Sequence, residues 1–187
     1  MNLILGAANF GNDYGKRLEQ DECFAILNRA KSLGIWAVDT AQSYGDSANI
    51  IQGWGGGLKI FSKYKRGETY PAYADYVLLH DEKDVNSIDM ENDGASLYDP
   101  KLAKAIHYPS WIQGPLNPLN LSFLYYAGYE RFIARSVFCG GRLQRSNQED
   151  IATLIFGFLK SHCVKQVVIG VESITELENI VRIAFEK

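Results

Sequence analysis

Short apolar runs alternate along this chain with longer stretches whose apolar residues recur every three or four positions. The short runs are 3–8, 35–39, 59–63, 75–80, 94–98, 111–115, 131–137 and 166–170. Several are continuous rather than alternating, as in Val167, Val168 and Ile169, which is how a strand shielded on both faces reads. Four stretches predict helices. In 18–33 the residues Cys23, Ile26, Leu27, Ala30 and Leu33 share one face, and Gly34 follows as a stop. Pro100 opens a short helix that ends near Ala105. The longest spans 147–162, with Asn147 as N-cap and Ile151, Leu154, Ile155 and Phe158 on one side. The last spans 175–185, with Thr175 as N-cap and Leu177, Ile180, Val181 and Ala184 as its buried stripe.

Strands alternating with helices predict βαβ units and a parallel α/β sheet, here of eight strands. Two connections fall short. Eleven residues separate Lys63 from Asp75, and thirteen separate His80 from Gly94. A whole crossover takes at least ~10–12 residues, helix included. One helical turn or irregular chain is expected in each place. Alternation along 74–80 puts Tyr76, Leu78 and His80 on one face and Val77 and Leu79 on the other. With no full helix to cover them, Val77 and Leu79 need one of two shields. Either the short segment folds back with Tyr70, Pro71 and Tyr73, or a second subunit covers them in a homodimer.

Length and composition narrow the classes. The 187 residues read as a single domain, 1–187, large enough to bury a core without staples. A net charge of −3 gives no electrostatic case for nucleic acid or an anionic membrane. Cys23, Cys139 and Cys163 have no paired spacing, so they read as reduced thiols of a cytoplasmic protein rather than a disulfide frame or metal site. The N-terminus has no basic n-region, and no apolar run nears the ~20 residues that span a bilayer.

Four chemically distinct residues follow the ends of three successive apolar runs: Asp39 and Tyr44, then Lys63, then His80. Each alone has a plainer reading. One tyrosine among eleven usually packs, a lysine at a strand end is usually solvated, and a lone histidine is usually structural. In this order and spacing, however, the four resemble the catalytic tetrad of the aldo-keto reductases. The resemblance continues along the chain. Residues 5–15, rich in glycine, look like the family's first strand and loop, without a G-x-G-x-x-G fingerprint. Residues 94–100, 111–117, 134–138 and 168–173 resemble its strands five to eight.

The resemblance implies a (β/α)8 TIM barrel, unusually small, with the helices after strands 3 and 4 reduced or missing. Known barrels begin at ~200 residues, and their sites form at the C-terminal ends of the strands. It implies reduction of a small carbonyl substrate by hydride from NADP(H) or NAD(H). Tyr44 would be the general acid, with its pKa lowered by the Lys63 ammonium. Asp39 would keep Lys63 charged, and His80 would orient the carbonyl. Ser96 and Gln113 would hold the nicotinamide carboxamide, and Ser136, Phe138 and Ser173 would support the ring and pyrophosphate. Ser96 could instead cap the helix at Pro100, and Gln113 could bridge barrel layers. Trp54, Trp111 and Tyr14 are candidates for lining the pocket.

Two departures from the family bear on cofactor. The stretch 139–147 is short where relatives fold a longer loop over the pyrophosphate. After strand eight come Glu172, Ser173, Ile174 and Thr175 rather than a basic residue, which suits a ribose hydroxyl better than a phosphate. Arg142, Arg145 or Arg182 could substitute. A different class also fits: a degenerate barrel that binds a ligand or partner without redox turnover. A third reading turns the Tyr–Lys pair to lyase or isomerase chemistry on a sugar.

Overall fold

The computed structural model describes residues 1–11, 16–80, 93–106, 110–139 and 148–186. Eight parallel strands close into a barrel in sequence order. They are β1 (Asn2–Gly6), β2 (Ala37–Ala41), β3 (Lys59–Tyr64), β4 (Tyr76–Leu79), β5 (Asp93–Ser96), β6 (Trp111–Pro115), β7 (Phe132–Arg135) and β8 (Gln166–Gly170). Closure is by β1 on β8, with Ile4 opposite Val168 and Gly6 opposite Gly170. Each strand falls on or beside one of the eight apolar runs.

Among the described residues, α-helices follow only β1, β2, β7 and β8: α1 (Gln20–Ser32), α2 (Ser47–Trp54), α3 (Gln148–Ser161) and α4 (Ile174–Phe185). The trimming therefore extends further than the sequence suggested. After β3 the chain is irregular, as expected. The expected counterpart after β4 falls at 81–92, outside the described residues. After β5 and β6 only single 3-10 turns remain, at Leu102–Ala105 and Leu124–Tyr126. The cap of α4 is Ser173, whose hydroxyl accepts the Glu176 N–H at 3.1 Å, and Thr175 lies inside the first turn instead. Helix α2 has no counterpart in the expected set. Its Ser47 hydroxyl is buried, donates to the Ala7 carbonyl at 2.8 Å and meets Thr40 Oγ1, so tertiary contacts anchor its start.

The two side chains of β4 that lacked an expected helix are buried within one chain. Val77 and Leu79 are both buried, the Tyr73 hydroxyl lies 2.8 Å from Ser62 Oγ, and Tyr70 packs on Tyr64. This face supplies no reason for a second subunit.

Inside the barrel, alternation sets one side chain per strand at each level. The lower level is apolar: Ile4, Ala37, Phe61, Leu78, Trp111 and Ile133, with Val168 beside them. Phe61 stacks on Tyr76 at 4.5 Å and meets Trp36 and Trp111 edge-on. These rings fill the N-terminal end of the barrel. Trp111 therefore belongs to this plug rather than to a substrate pocket. Trp54 is also elsewhere, bonding Asn28 of α1 through its indole N–H at 2.9 Å. Tyr14 lies outside the described residues.

Strand β5 contributes Gly94 to the register, beside Trp111. A Cβ on Gly94 would sit 2.1 Å from the Trp111 carbonyl oxygen, which is backbone and cannot swing away. Gly94→Ala should therefore destabilise the barrel by at least about 2 kcal/mol. Thermal melts should show a fall on the order of 5 °C. An unchanged melting temperature would mean that β5 and β6 are less closely apposed than this.

Candidate active site

Two residues further along each strand, toward the C-terminal end, the same face turns polar. Ala37 gives way to Asp39, Phe61 to Lys63, Leu78 to His80, Gly94 to Ser96, Trp111 to Gln113 and Ile133 to Arg135. The outer strands of this series, β1 and β8, end in Gly6 and Gly170. A polar layer thus caps the apolar plug at the end of the barrel where such folds do chemistry.

The layer is organised around a buried ion pair. Lys63 and Asp39 side chains are 1% and 6% exposed, and Lys63 Nζ bonds Asp39 Oδ1. The other carboxylate oxygen, Oδ2, accepts from Gln113 Nε2 at 2.7 Å. Both oxygens of Asp39 are therefore held, which is the condition under which a buried pair is tolerated. Gln113 bridges to β2, as its plainer reading allowed. Its Oε1 is buried and has no hydrogen-bond partner among the described residues.

Tyr44 hangs over this pair from the loop between β2 and α2. That loop is fixed by two backbone bonds, Gln42 N–H to the Lys63 carbonyl at 2.8 Å and Tyr44 N–H to the Ala41 carbonyl at 3.0 Å. Gly45 then turns with φ 54°, a region that suits glycine. Lys63 Nζ lies 5.0 Å from the centre of the Tyr44 ring. The His80 ring meets Tyr44 edge-on, with centroids 6.0 Å apart. The His80 backbone N–H continues the β3–β4 ladder to the Tyr64 carbonyl, and its Nδ1 lies 3.5 Å from Ser43 Oγ. The structure thus brings Asp39, Tyr44, Lys63 and His80 together.

The electrostatics differ from expectation in one respect. Tyr44 is raised above its ordinary value rather than lowered, because burial outweighs the opposing pull of Lys63. The ammonium alone would lower the phenol, and desolvation more than reverses that pull. The phenol is consequently protonated at neutral pH, the form a proton donor needs. His80 is lowered to about 4, first by burial and then by the Lys63 charge.

The His80 shift has a sign that can be tested. Its folded value lies below the ordinary 6.5, so folding favours the neutral ring. The stability this carries is present above about pH 6.5 and is lost as pH falls toward about 4. Melting temperatures taken from pH 7 to 4 should fall for the parent protein and fall less for His80→Gln. Parallel curves would remove His80 from the acid response.

The five expected cofactor contacts divide. Ser96 and Gln113 sit in the polar layer and are buried. Ser96 does not cap the turn after Pro100, which has no side-chain cap; Asp99 accepts the Lys101 N–H just ahead of it at 2.9 Å. Ser96 Oγ instead accepts from Arg135 Nε at 3.2 Å. Ser136 lies at the rim in the left-handed region, φ 53°, with its carbonyl held by Asn117 Nδ2. Phe138 packs in the outer layer, edge-on to Phe156 of α3 at 6.1 Å. Ser173 caps α4. Of the candidate basic substitutes, Arg182 is engaged by Glu149 and Glu186. Arg142 and Arg145 lie outside the described residues, as does most of the shortened 139–147 segment.

Arg135 is the layer member that the sequence reading passed over. The signal was available: Ile133 faces the plug, and a step of two on a strand returns to the same face.

Residues 2–81 match the model of the aldo/keto reductase family. That stretch carries Asp39, Tyr44, Lys63 and His80. Two solved structures, both provisionally named aldo-keto reductases from Pseudomonas aeruginosa, share the fold at 18% identity. In each case 97% of this chain and 88% of the other are covered, with TM-scores of 0.73 and 0.74. Among curated protein sequences nothing matches. The sequence likeness to the family thus covers residues 2–81, and the likeness to the two solved structures is one of fold. Among its described residues, no helix is long and apolar enough to cross a membrane.

Proposed function

We propose that this chain is a nicotinamide-dependent carbonyl reductase in which Tyr44 protonates the carbonyl oxygen. One observation carries the reading: a buried Lys63–Asp39 pair lies beneath a protonated, half-buried tyrosine, with a neutral histidine against its ring. The Tyr44 hydroxyl has no hydrogen-bond partner among the described residues, so it is available to a substrate oxygen. His80, neutral above about pH 5, donates a hydrogen bond to the same oxygen and sets its direction. Lys63 supplies a fixed positive charge that stabilises phenolate once the proton has left. Asp39 and Gln113 hold that charge in place. The substrate is a small aldehyde or ketone.

The residues present fit a nicotinamide at the polar layer. The unpartnered Gln113 Oε1 is an acceptor that a carboxamide N–H would satisfy, and Ser96 is its neighbour across the β5–β6 pairing. NAD(P)H, when bound, supplies the hydride. The fit is poorer at the phosphate end. The first turn of α4 is occupied by its own side chains, since Ser173 takes the Glu176 N–H and Glu176 takes the Glu172 N–H at 2.7 Å. Two carboxylates there repel a ribose phosphate, which supports weak binding with little preference for NADPH over NADH.

That same closed turn favours a second reading, a barrel that binds a ligand without redox turnover. Titration with NADPH and NADH followed by an aldehyde panel separates the two. The reductase reading expects cofactor oxidation that depends on aldehyde and yields one alcohol per cofactor. Binding with no oxidation across the panel would leave the second reading standing.

A further inference from the structure

The polar layer has an electrostatic remainder. Lys63 is neutralised by Asp39, and Asp39 by Lys63 and Gln113. Arg135 is different. It ends β7, where Pro115 pairs with it at the mouth of the barrel. Its side chain crosses toward β5, donating from Nε to Ser96 Oγ at 3.2 Å and from Nη2 to the Leu97 carbonyl at 2.9 Å. A third, longer contact runs from Nη1 to Ser136 Oγ at 3.4 Å. The guanidinium lies 4.1 Å over the Tyr98 ring. Every one of these partners is neutral, and among the described residues no carboxylate pairs with it.

We propose that Arg135 is an anion seat at the mouth of the barrel, taking the carboxylate of a carbonyl substrate. The contacts to Ser96, Leu97 and Tyr98 hold the planar group at one orientation. They leave further N–H donors unused, in the fork that suits a two-oxygen anion. A half-buried cation with only neutral partners is a seat whose charge is met when an anion arrives. Its charge reaches both Tyr44 and His80, though behind burial, Lys63 and Asp39 in each case and behind Lys65 as well at His80. An anion bound there sits beside the proton donor.

The inference rests on the reductase reading only for its kinetic arm. In that arm, 4-carboxybenzaldehyde and benzaldehyde are compared in the parent protein and in Arg135→Met. If the seat takes substrate, the preference for the carboxylated aldehyde in kcat/KM should fall by about 10- to 100-fold, the scale of a lost charge-assisted hydrogen bond. An unaltered preference with a Kd for NADPH, read by its fluorescence, that rises at least about tenfold would mean that the charge serves the cofactor, and would overturn the substrate seat. Arg135→Gln keeps donors without charge and serves if the Met variant does not fold. Calorimetric titration with 4-carboxybenzaldehyde reads the seat even in a protein that turns nothing over. Such a result would sink the reductase reading and leave the seat intact. Arg135 variants that match the parent in aldehyde preference and carboxylate binding would likewise overturn the proposal.

Discussion

Replacing Tyr44 by Phe should lower aldehyde reduction by about 10²- to 10⁴-fold, the range that positioned acid catalysis supplies. The substitution removes one oxygen and keeps the ring. The ring is what touches its neighbours: Lys63 Nζ lies over it at 5.0 Å and His80 meets it at 6.0 Å. No described residue bonds the hydroxyl, so folding should change by less than about 1 kcal/mol. Rate and stability are thereby separated. A slow enzyme with parent-like denaturant unfolding places the loss in the chemistry. A variant retaining most of its rate would take Tyr44 out of the mechanism, and a slow variant that is also unstable would make the loss structural.

The second large effect is on stability. Lys63→Met removes the cation from a pair whose two side chains are 1% and 6% exposed. Asp39 is then left charged in the barrel interior with Gln113 as its remaining described partner. Breaking a buried pair from one side costs about 3–5 kcal/mol, most of it the penalty of the stranded charge. Urea unfolding should show a drop of that size. Adding Asp39→Asn removes the stranded charge, so the double variant should recover part of the loss. The coupling between the two sites should lie at about 1–3 kcal/mol. Strict additivity would mean that Asp39 is hydrated in the variant, and that the layer is wetter than its burial indicates.

Which parts of this were legible beforehand follows from what each part depends on. The eight strands were readable because a barrel strand is covered on both faces, so its burial is written as a continuous run, as in Val167–Ile169 of β8. The grouping of Asp39, Tyr44, Lys63 and His80 at one end of the barrel was readable because four unlike residues stood at the ends of consecutive runs. Helix α2 was not, because eight residues containing Gly53 carry too little periodicity, and its start is fixed by Ser47 reaching Ala7 forty positions away. The short element after β5 was legible from Pro100 and stops at Ala105 as expected, whereas the single turn at Leu124–Tyr126 after β6 has no such marker. Side-chain direction beyond a strand end was also hidden. Phe138 follows β7 closely in sequence yet turns outward onto Phe156. The direction of the Tyr44 shift depended on burial, a property of the whole fold. Arg135 was legible from the strand's own period, since it stands two residues beyond Ile133 of the plug and so on the same face.

The central claim is that hydride passes from a nicotinamide to a carbonyl carbon at this site. The most direct measurement is transfer of label from NADPH deuterated at the reactive C4 position to an aldehyde, read by mass spectrometry of the product. One deuterium per alcohol, delivered by the parent protein and nearly lost in Tyr44→Phe, is the expected result. Product formed without deuterium, or a sugar rearranged with the cofactor untouched, would contradict it.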